Sequence, residues 1–234
     1  MEIMPLEHKL CTFDCVYCEC GWNEPVSHPV LPTREEVRVA LETKLKALQQ
    51  EGVVPDVITF SGNGEPTLHP EFKGIIEDTC ALRDSYCPQA KVSVLSNSTQ
   101  LGRADVVEAL RLCDNRILKL DAATDTMMRR IDQPVNKALD VQTLTSWLKQ
   151  FDGDFTLQTC FLRGEHKGEP IDNTTEEELN AWYRVVEMLR PKQVMIYVID
   201  RKTPEEHLEK IPRERMEEIA APLREQGIDV IVSA

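Results

Sequence analysis

The sequence predicts an α/β chain, a partial (β/α)6 TIM-like barrel of parallel strands with outer helices. Three observations carry this. Short Val-, Ile- and Leu-rich runs alternate with longer amphipathic stretches along all 234 residues, the rhythm of βα units around a parallel sheet. Apolar residues make up 41% of the chain, enough for a sizeable core. Polar and glycine-rich segments follow each strand-like run, where such folds keep their chemistry. No linker, low-complexity tract or repeat divides the chain, so residues 1–234 read as one domain.

In order, "EIMPL" reads as a first strand. "TREEVRVALETKLKALQQEG" reads as a helix with Thr33 as cap and Gly52 as stop. "DVITF" is a strand and "HPEFKGIIEDTCALRDSY" the helix after it. "KVSVL" pairs with the helix "RADVVEALRLC", and "RILKL" with a helix over about 136–149. "FTLQTCFL" over 155–162 is a strand before a helix capped by Thr174 or Thr175. "QVMIYVI" over 193–199 precedes a helix over about 212–226, and "IDVIVS" is a possible last strand. Right-handed crossovers bring the loops after these strands to one mouth. Those loops are the cysteine segment, "SGNGEPTLHP", "SNST", "DAATD", "RGEHKGEP" and "DRKTP".

The formal net charge of −13 argues against gripping nucleic acid by its phosphates, which needs Lys and Arg to displace counterions. It also disfavours anionic membranes, and no apolar run approaches the ~20 residues of a span. The N-terminus lacks the plan of a signal peptide. A cytoplasmic location follows as the expectation. There the eight cysteines read as metal ligands, redox groups or core residues rather than disulfides.

Four of them fall in "KLCTFDCVYCECGW", at Cys11, Cys15, Cys18 and Cys20. Clustered thiolates at gaps of two or three residues bind zinc or iron–sulfur groups. A structural zinc site lacks its second C-x-x-C pair here, and His28 or His69 would have to complete it. Three thiolates at Cys11, Cys15 and Cys18 on a four-iron cube leave one iron open to another ligand.

Cys11-Thr-Phe-Asp-Cys15-Val-Tyr-Cys18 resembles the C-x-x-x-C-x-aromatic-C signature of the radical S-adenosylmethionine (SAM) superfamily. Gly62-Asn63-Gly64-Glu65-Pro66 resembles that superfamily's Gly-Gly-Glu-Pro motif, with Asn63 inserted. The resemblance implies that Cys11, Cys15 and Cys18 hold a [4Fe–4S] cluster whose fourth iron chelates the methionine end of SAM. It implies that Gly62 and Gly64 admit that methionine closely and that Glu65 positions its amino group. Tyr17 then lies near the adenine, and Ser96, Asn97, Lys119 and Asp121 occupy strand ends where relatives contact SAM. The implied reaction is reductive cleavage of SAM to a 5′-deoxyadenosyl radical that abstracts hydrogen from a substrate, with flavodoxin or ferredoxin as electron donor. Stretches such as "VITFSGNGEPTLHPEF" resemble bacterial radical SAM proteins related to the wyosine-forming enzymes of tRNA, although the negative charge fits a tRNA face poorly.

Substrate class stays open: a small molecule, a modified nucleoside, or a partner protein given a glycyl radical. A non-catalytic iron–sulfur electron carrier is the reading from another class. Cys20, Cys80, Cys87, Cys113 and Cys160 read as incidental or core thiols. His69 is either a helix-entry residue or a ligand. Lys119, in an otherwise apolar strand, serves SAM or pairs with Asp121 or another inner acid. Gln158, Arg163, Asp200 and Arg201 either hold substrate or form an ion-pair network around the mouth.

Overall fold

Helix α1 (Arg34–Gln50) forms where the sequence places it. Thr33 and Glu36 make a reciprocal capping box, and the chain leaves the helix through Gly52 at φ +69°. Val37, Leu41 and Leu45, four residues apart, are its buried stripe. The fold was obtained as a computed structural model and describes residues 1–25 and 27–234. It divides into two compact units, one of residues 1–11 and 23–117, the other of 12–22 and 118–234.

The first unit continues with β1 (Val57–Phe60), α2 (Phe72–Tyr86), β2 (Lys91–Ser96) and α3 (Ala104–Leu112). Strand β3 (Asn115–Lys119) begins in this unit and ends in the other. β1 and β2 pair in parallel, Val57 opposite Lys91 through Phe60 opposite Val94. Phe60, Val92 and Val94 are fully buried.

The second unit holds α4 (Asp125–Ile131), α5 (Val141–Leu148), β4 (Thr156–Cys160), β5 (Leu162–His166) and β6 (Glu169–Asp172). It goes on with α6 (Glu176–Leu189), β7 (Gln193–Tyr197), β8 (Leu208–Lys210), α7 (Arg213–Glu225) and β9 (Asp229–Ser233). β7 pairs in parallel with β4 on one side and β9 on the other. The main sheet has six strands in the order β1-β2-β3-β4-β7-β9, so the α/β reading with six strands and outer helices holds.

The structure corrects the sequence reading at four places. "EIMPL" is not a strand: only Leu10 makes an isolated parallel bridge, to Gly64, and the sixth strand is the C-terminal β9. Pro5 lacks an N–H for a ladder. The run 155–162 is not one strand, because Phe161 turns the chain out of β4 into β5. The "RGEHKGEP" loop is an antiparallel hairpin, β5 with β6, turned by Lys167 and Gly168 at φ +52° and +80° and extended by β8 into a second, three-stranded sheet. Positive φ at both turn residues suits the right-handed twist of a hairpin. "DAATD" also runs into the unforeseen short helix α4, capped by Thr124. No helix among the described residues is long and apolar enough to cross a membrane.

Candidate functional site

The glycine turn after β1 is built around the carboxylate of Glu65. Its Oε1 accepts hydrogen bonds from Thr67 N (3.0 Å) and Ser96 Oγ (2.9 Å), and Oε2 accepts one from Asn97 N (2.6 Å). Glu65 is 2% exposed, and burial pushes its carboxyl above the ordinary glutamate value although these donors pull it down. Glu65 therefore ties the turn to the end of β2, where the sequence reading gave it a contact with SAM.

Asn63 faces the N-terminal segment. Its backbone N–H donates to Glu2 Oε2 (2.6 Å) and its amide Nδ2 to Pro5 O (2.9 Å). Leu10 N donates to Asn63 O (3.3 Å), and Glu65 N to Leu10 O (2.9 Å). The glycines are required by this approach. A Cβ on Gly64, at φ +142°, would lie 2.0 Å from Leu10 O, and one on Gly62 1.8 Å from Glu2 Oε2. The chain's own N-terminal segment thus lies against the backbone of both glycines. The result is a clasp on the residue before Cys11. Asn97 adds a side-chain donor, its Nδ2 lying 3.4 Å from Cys11 Sγ.

In the second unit the segment 12–22 is laid along the end of α4. Asp14 N donates to Asp132 O and Val16 N to Ile131 O, both at 2.9 Å. Val135 N donates to Thr12 O (2.9 Å), and Gln133 Nε2 to Asp14 O (3.0 Å). Cys18 N donates to Cys15 O (3.1 Å), a turn that brings these two cysteines together.

Lys119 lies at the centre of a buried charge network. Its ammonium is 3.0 Å from Asp121 Oδ2, 3.0 Å from Asp132 Oδ1 and 3.0 Å from Cys15 Sγ. It also lies 4.8 Å from the centre of the Tyr17 ring and 5.4 Å from that of Phe13. Burial pulls the lysine down, but Asp121 and Asp132 outweigh it and hold the group well above its ordinary value. Burial raises Asp132 to about 7 against the pull of Lys119. Tyr17 donates its hydroxyl to Asp121, Tyr197 donates to Tyr17 (3.3 Å), and Cys160 N donates to the other Asp121 oxygen (2.8 Å). The acid expected beside Lys119 is thus present twice. Asp132 and Tyr197 carry no motif signal and were missed. The one hint was Asp132 in "IDQP", where a helix has to end before proline.

Other sequence candidates resolve to structural partners. His69 bonds Pro32 O (2.8 Å) and accepts from Glu71 N (3.1 Å), so it organises the entry to α2. Arg163 pairs with Glu209, Arg201 with Glu19 and Lys210 with Asp200, while Gln158 reaches Met195 Sδ. No disulfide joins any of the eight cysteines. Burial pushes Cys113 up to about 12 and raises Cys87 and Cys160, as inert core thiols should be, and it raises the half-buried Cys80 as well.

A profile described as the Radical SAM superfamily matches residues 8–172. A UPF0026 protein of Synechocystis is 31% identical over 200 residues, 83% of this chain and 68% of its own length. A Brachyspira hyodysenteriae protein named GTPase Obg is 27% identical over 93% of this chain but only 30% of itself. The chain therefore spans between about a third and two thirds of these relatives. Streptococcus suis SuiB bound to S-adenosylmethionine shares the fold at TM-score 0.67 and 13% identity, over 100% of this chain and 50% of SuiB. TYW1 with a lysine-pyruvate adduct does so at TM-score 0.64 and 15% identity, over 93% of this chain and 70% of TYW1. These likenesses show the α/β fold. The chain belongs to the radical SAM superfamily, and with membership come that superfamily's two cofactors, a [4Fe–4S] cluster and SAM. Cys11 and Cys15 each have a nitrogen donor beside the sulfur, Asn97 Nδ2 and Lys119 Nζ, and Cys15 Sγ also lies 3.5 Å from Asp132 Oδ1.

Proposed function

We propose that this chain is a single radical SAM core, residues 1–234, in which Cys11, Cys15 and Cys18 ligate the cluster and leave one iron for SAM. The observation that carries the reading is the nitrogen donors on two of the three sulfurs, Asn97 on Cys11 and Lys119 on Cys15. Gly62, Asn63, Gly64 and Glu65 hold the turn that faces the methionine end, with Glu65 fixing Ser96 and Asn97 rather than reaching the ligand through both oxygens. Lys119 and Asp121 supply charge for the carboxylate and ribose of SAM, and Tyr17 an aromatic face for the adenine. The bound cofactors supply one electron and a 5′-deoxyadenosyl radical that removes hydrogen from substrate.

The residues on the page prepare that chemistry. The clasp on Leu10 and the bonds from 131–135 to 12–16 hold the thiols in place. Aromatic rings at Phe13 and Tyr17 screen the Lys119 ammonium from water. The substrate is a small molecule or modified nucleoside, and a flavodoxin or ferredoxin-type protein delivers the electron. The test is anaerobic reconstitution followed by SAM and dithionite, with 5′-deoxyadenosine quantified and Cys18→Ser as control. Product from the parent and none from the variant supports the reading. A loaded cluster whose EPR spectrum SAM leaves unchanged, with no product, overturns it and leaves an electron carrier.

A further inference from the structure

Cys18 is flanked by contacts that the roles proposed above do not use. Glu205 N donates to Val16 O (3.3 Å), two residues before Cys18 in the chain. Arg201 pairs with Glu19 (2.8 Å), the residue after it. The ring centre of Trp22, four residues after it, lies 5.5 Å from that of His166. Residues 201–207 therefore form a strap along the cysteine segment, in addition to the bonds from 131–135. Arg201 and Glu19 are exposed, and an exposed pair holds little. The hold rests on Glu205.

Glu205 Oε2 lies 2.6 Å from Nδ1 of His166 on β5, and Oε1 accepts the backbone N–H groups of Glu206 (2.9 Å) and His207 (3.3 Å). Thr203 Oγ1 donates to Glu205 O (2.6 Å). The His166 and Glu205 side chains are 10% and 16% exposed, so water screens this pair far less than a surface one. The bond from His166, with those of the two backbone N–H groups, holds the Glu205 carboxyl at about 2, so it is ionised at neutral pH. An ionised carboxylate at this distance favours the imidazolium. Nε2 of His166 is buried with no hydrogen-bond partner, so Glu205 is the ring's polar hold. The other charges about the ring are Glu169, opposite His166 in the hairpin and itself paired with Arg130, then Lys167 next in the chain, and Asp14 of the cysteine segment. The exposed His207 also lies 3.3 Å from Glu205 Oε1.

We propose that His166 is a positioning residue: its imidazolium latches Glu205, and through the Glu205 backbone and Trp22 the strap keeps the turn that carries Cys18 in place. The role in the reaction rests on Cys18 being a cluster ligand; the latch itself does not. Imidazolium and carboxylate are needed together. Glu205 stays ionised down to about 2, whereas imidazole side chains change charge between about pH 5 and 8. The hold is therefore complete at the acid end of that window and is lost as pH rises and the ring gives up its proton.

The test is amide hydrogen exchange of peptides over 12–22 and 201–207 in the full-length metal-free chain, corrected for intrinsic pH dependence, across and somewhat above that window. Protection of both segments should fall about ten-fold as pH rises, as the loss of one charge-assisted hydrogen bond implies. His166→Gln should show the low protection at every pH, and His207→Gln should keep the fall. Helix α6 should exchange alike in all three, which shows that the variants fold. Trp22 fluorescence should rise over the same range in the parent, because an imidazolium against the indole quenches it, and stay flat in His166→Gln. After reconstitution, iron should pass to a chelator about ten-fold faster from His166→Gln than from the parent at the acid end of the window. Protection that is independent of pH in the parent, or unchanged in His166→Gln, overturns the proposal. Iron loading unaffected by Cys18→Ser would overturn the cluster reading instead, and exchange in the metal-free chain would still decide the latch.

Discussion

Gly64→Ala tests how the cysteine segment is held. At φ +142° an L-residue is strained, at a cost of about 1–3 kcal/mol. The new Cβ would lie 2.0 Å from the backbone oxygen of Leu10, which cannot swing aside as a side chain could. Relief requires Leu10 to move, and with it go the bonds from Glu65 N to Leu10 O and from Leu10 N to Asn63 O, each worth ~1 kcal/mol net. The sum is about 3–5 kcal/mol out of a typical total of ~5–15. With a urea slope of roughly 1–3 kcal/mol/M the midpoint of the metal-free chain should fall by about 1–5 M. Cys11, next in sequence, should lose its place beside Asn97, so iron bound per chain after reconstitution should fall too. An unchanged midpoint and full iron loading in Gly64→Ala would refute the idea that backbone contact between Leu10 and the glycine turn positions the first cysteine.

Three further outcomes follow from the same contacts. Asp132, raised from 3.8 to about 7 in the fold, binds more protons folded than unfolded. Its contribution is complete below about 3.8 and is lost as pH rises to about 7, so urea midpoints of the metal-free chain should show this fall and Asp132→Asn should remove it. Glu205 has the opposite sign: lowered from 4.5 to about 2, it stabilises above about 4.5 and loses that as pH falls to about 2. Partial screening limits it to ~1–3 kcal/mol, and Glu205→Gln should flatten the acid limb of the stability curve. Thr33→Ala breaks the capping box of α1 and should lower thermal stability by about 1 kcal/mol without altering 5′-deoxyadenosine formation.

Elements with strong local signals were readable from the chain. The capped helices α1 and α6 and the apolar runs of β1, β2, β3, β4, β7 and β9 lie close to their expected positions. What failed depended on partners far away in sequence. "EIMPL" is apolar enough for a strand, but its Glu2 and Pro5 bond to Asn63 without a ladder. The β5–β6 hairpin looked like a loop because its charged, exposed residues carry little hydrophobic alternation, although Lys167-Gly168 is a workable two-residue turn. The cysteine triplet and glycine turn were visible as motifs because their spacing is local. Asp132 was not, since its nearness to Cys15 arises from a 117-residue separation closed only by the fold.

The bonds from 131–135 to 12–16 are made by peptide groups and by Gln133. A zinc finger gathers its ligands only when metal arrives and collapses when it leaves. Here a scaffold of ordinary hydrogen bonds has the second and third thiols already assembled. If Cys15 and Cys18 hold the cluster as proposed, these bonds would keep the two thiols together when the iron is lost, so that the site would be refilled rather than refolded.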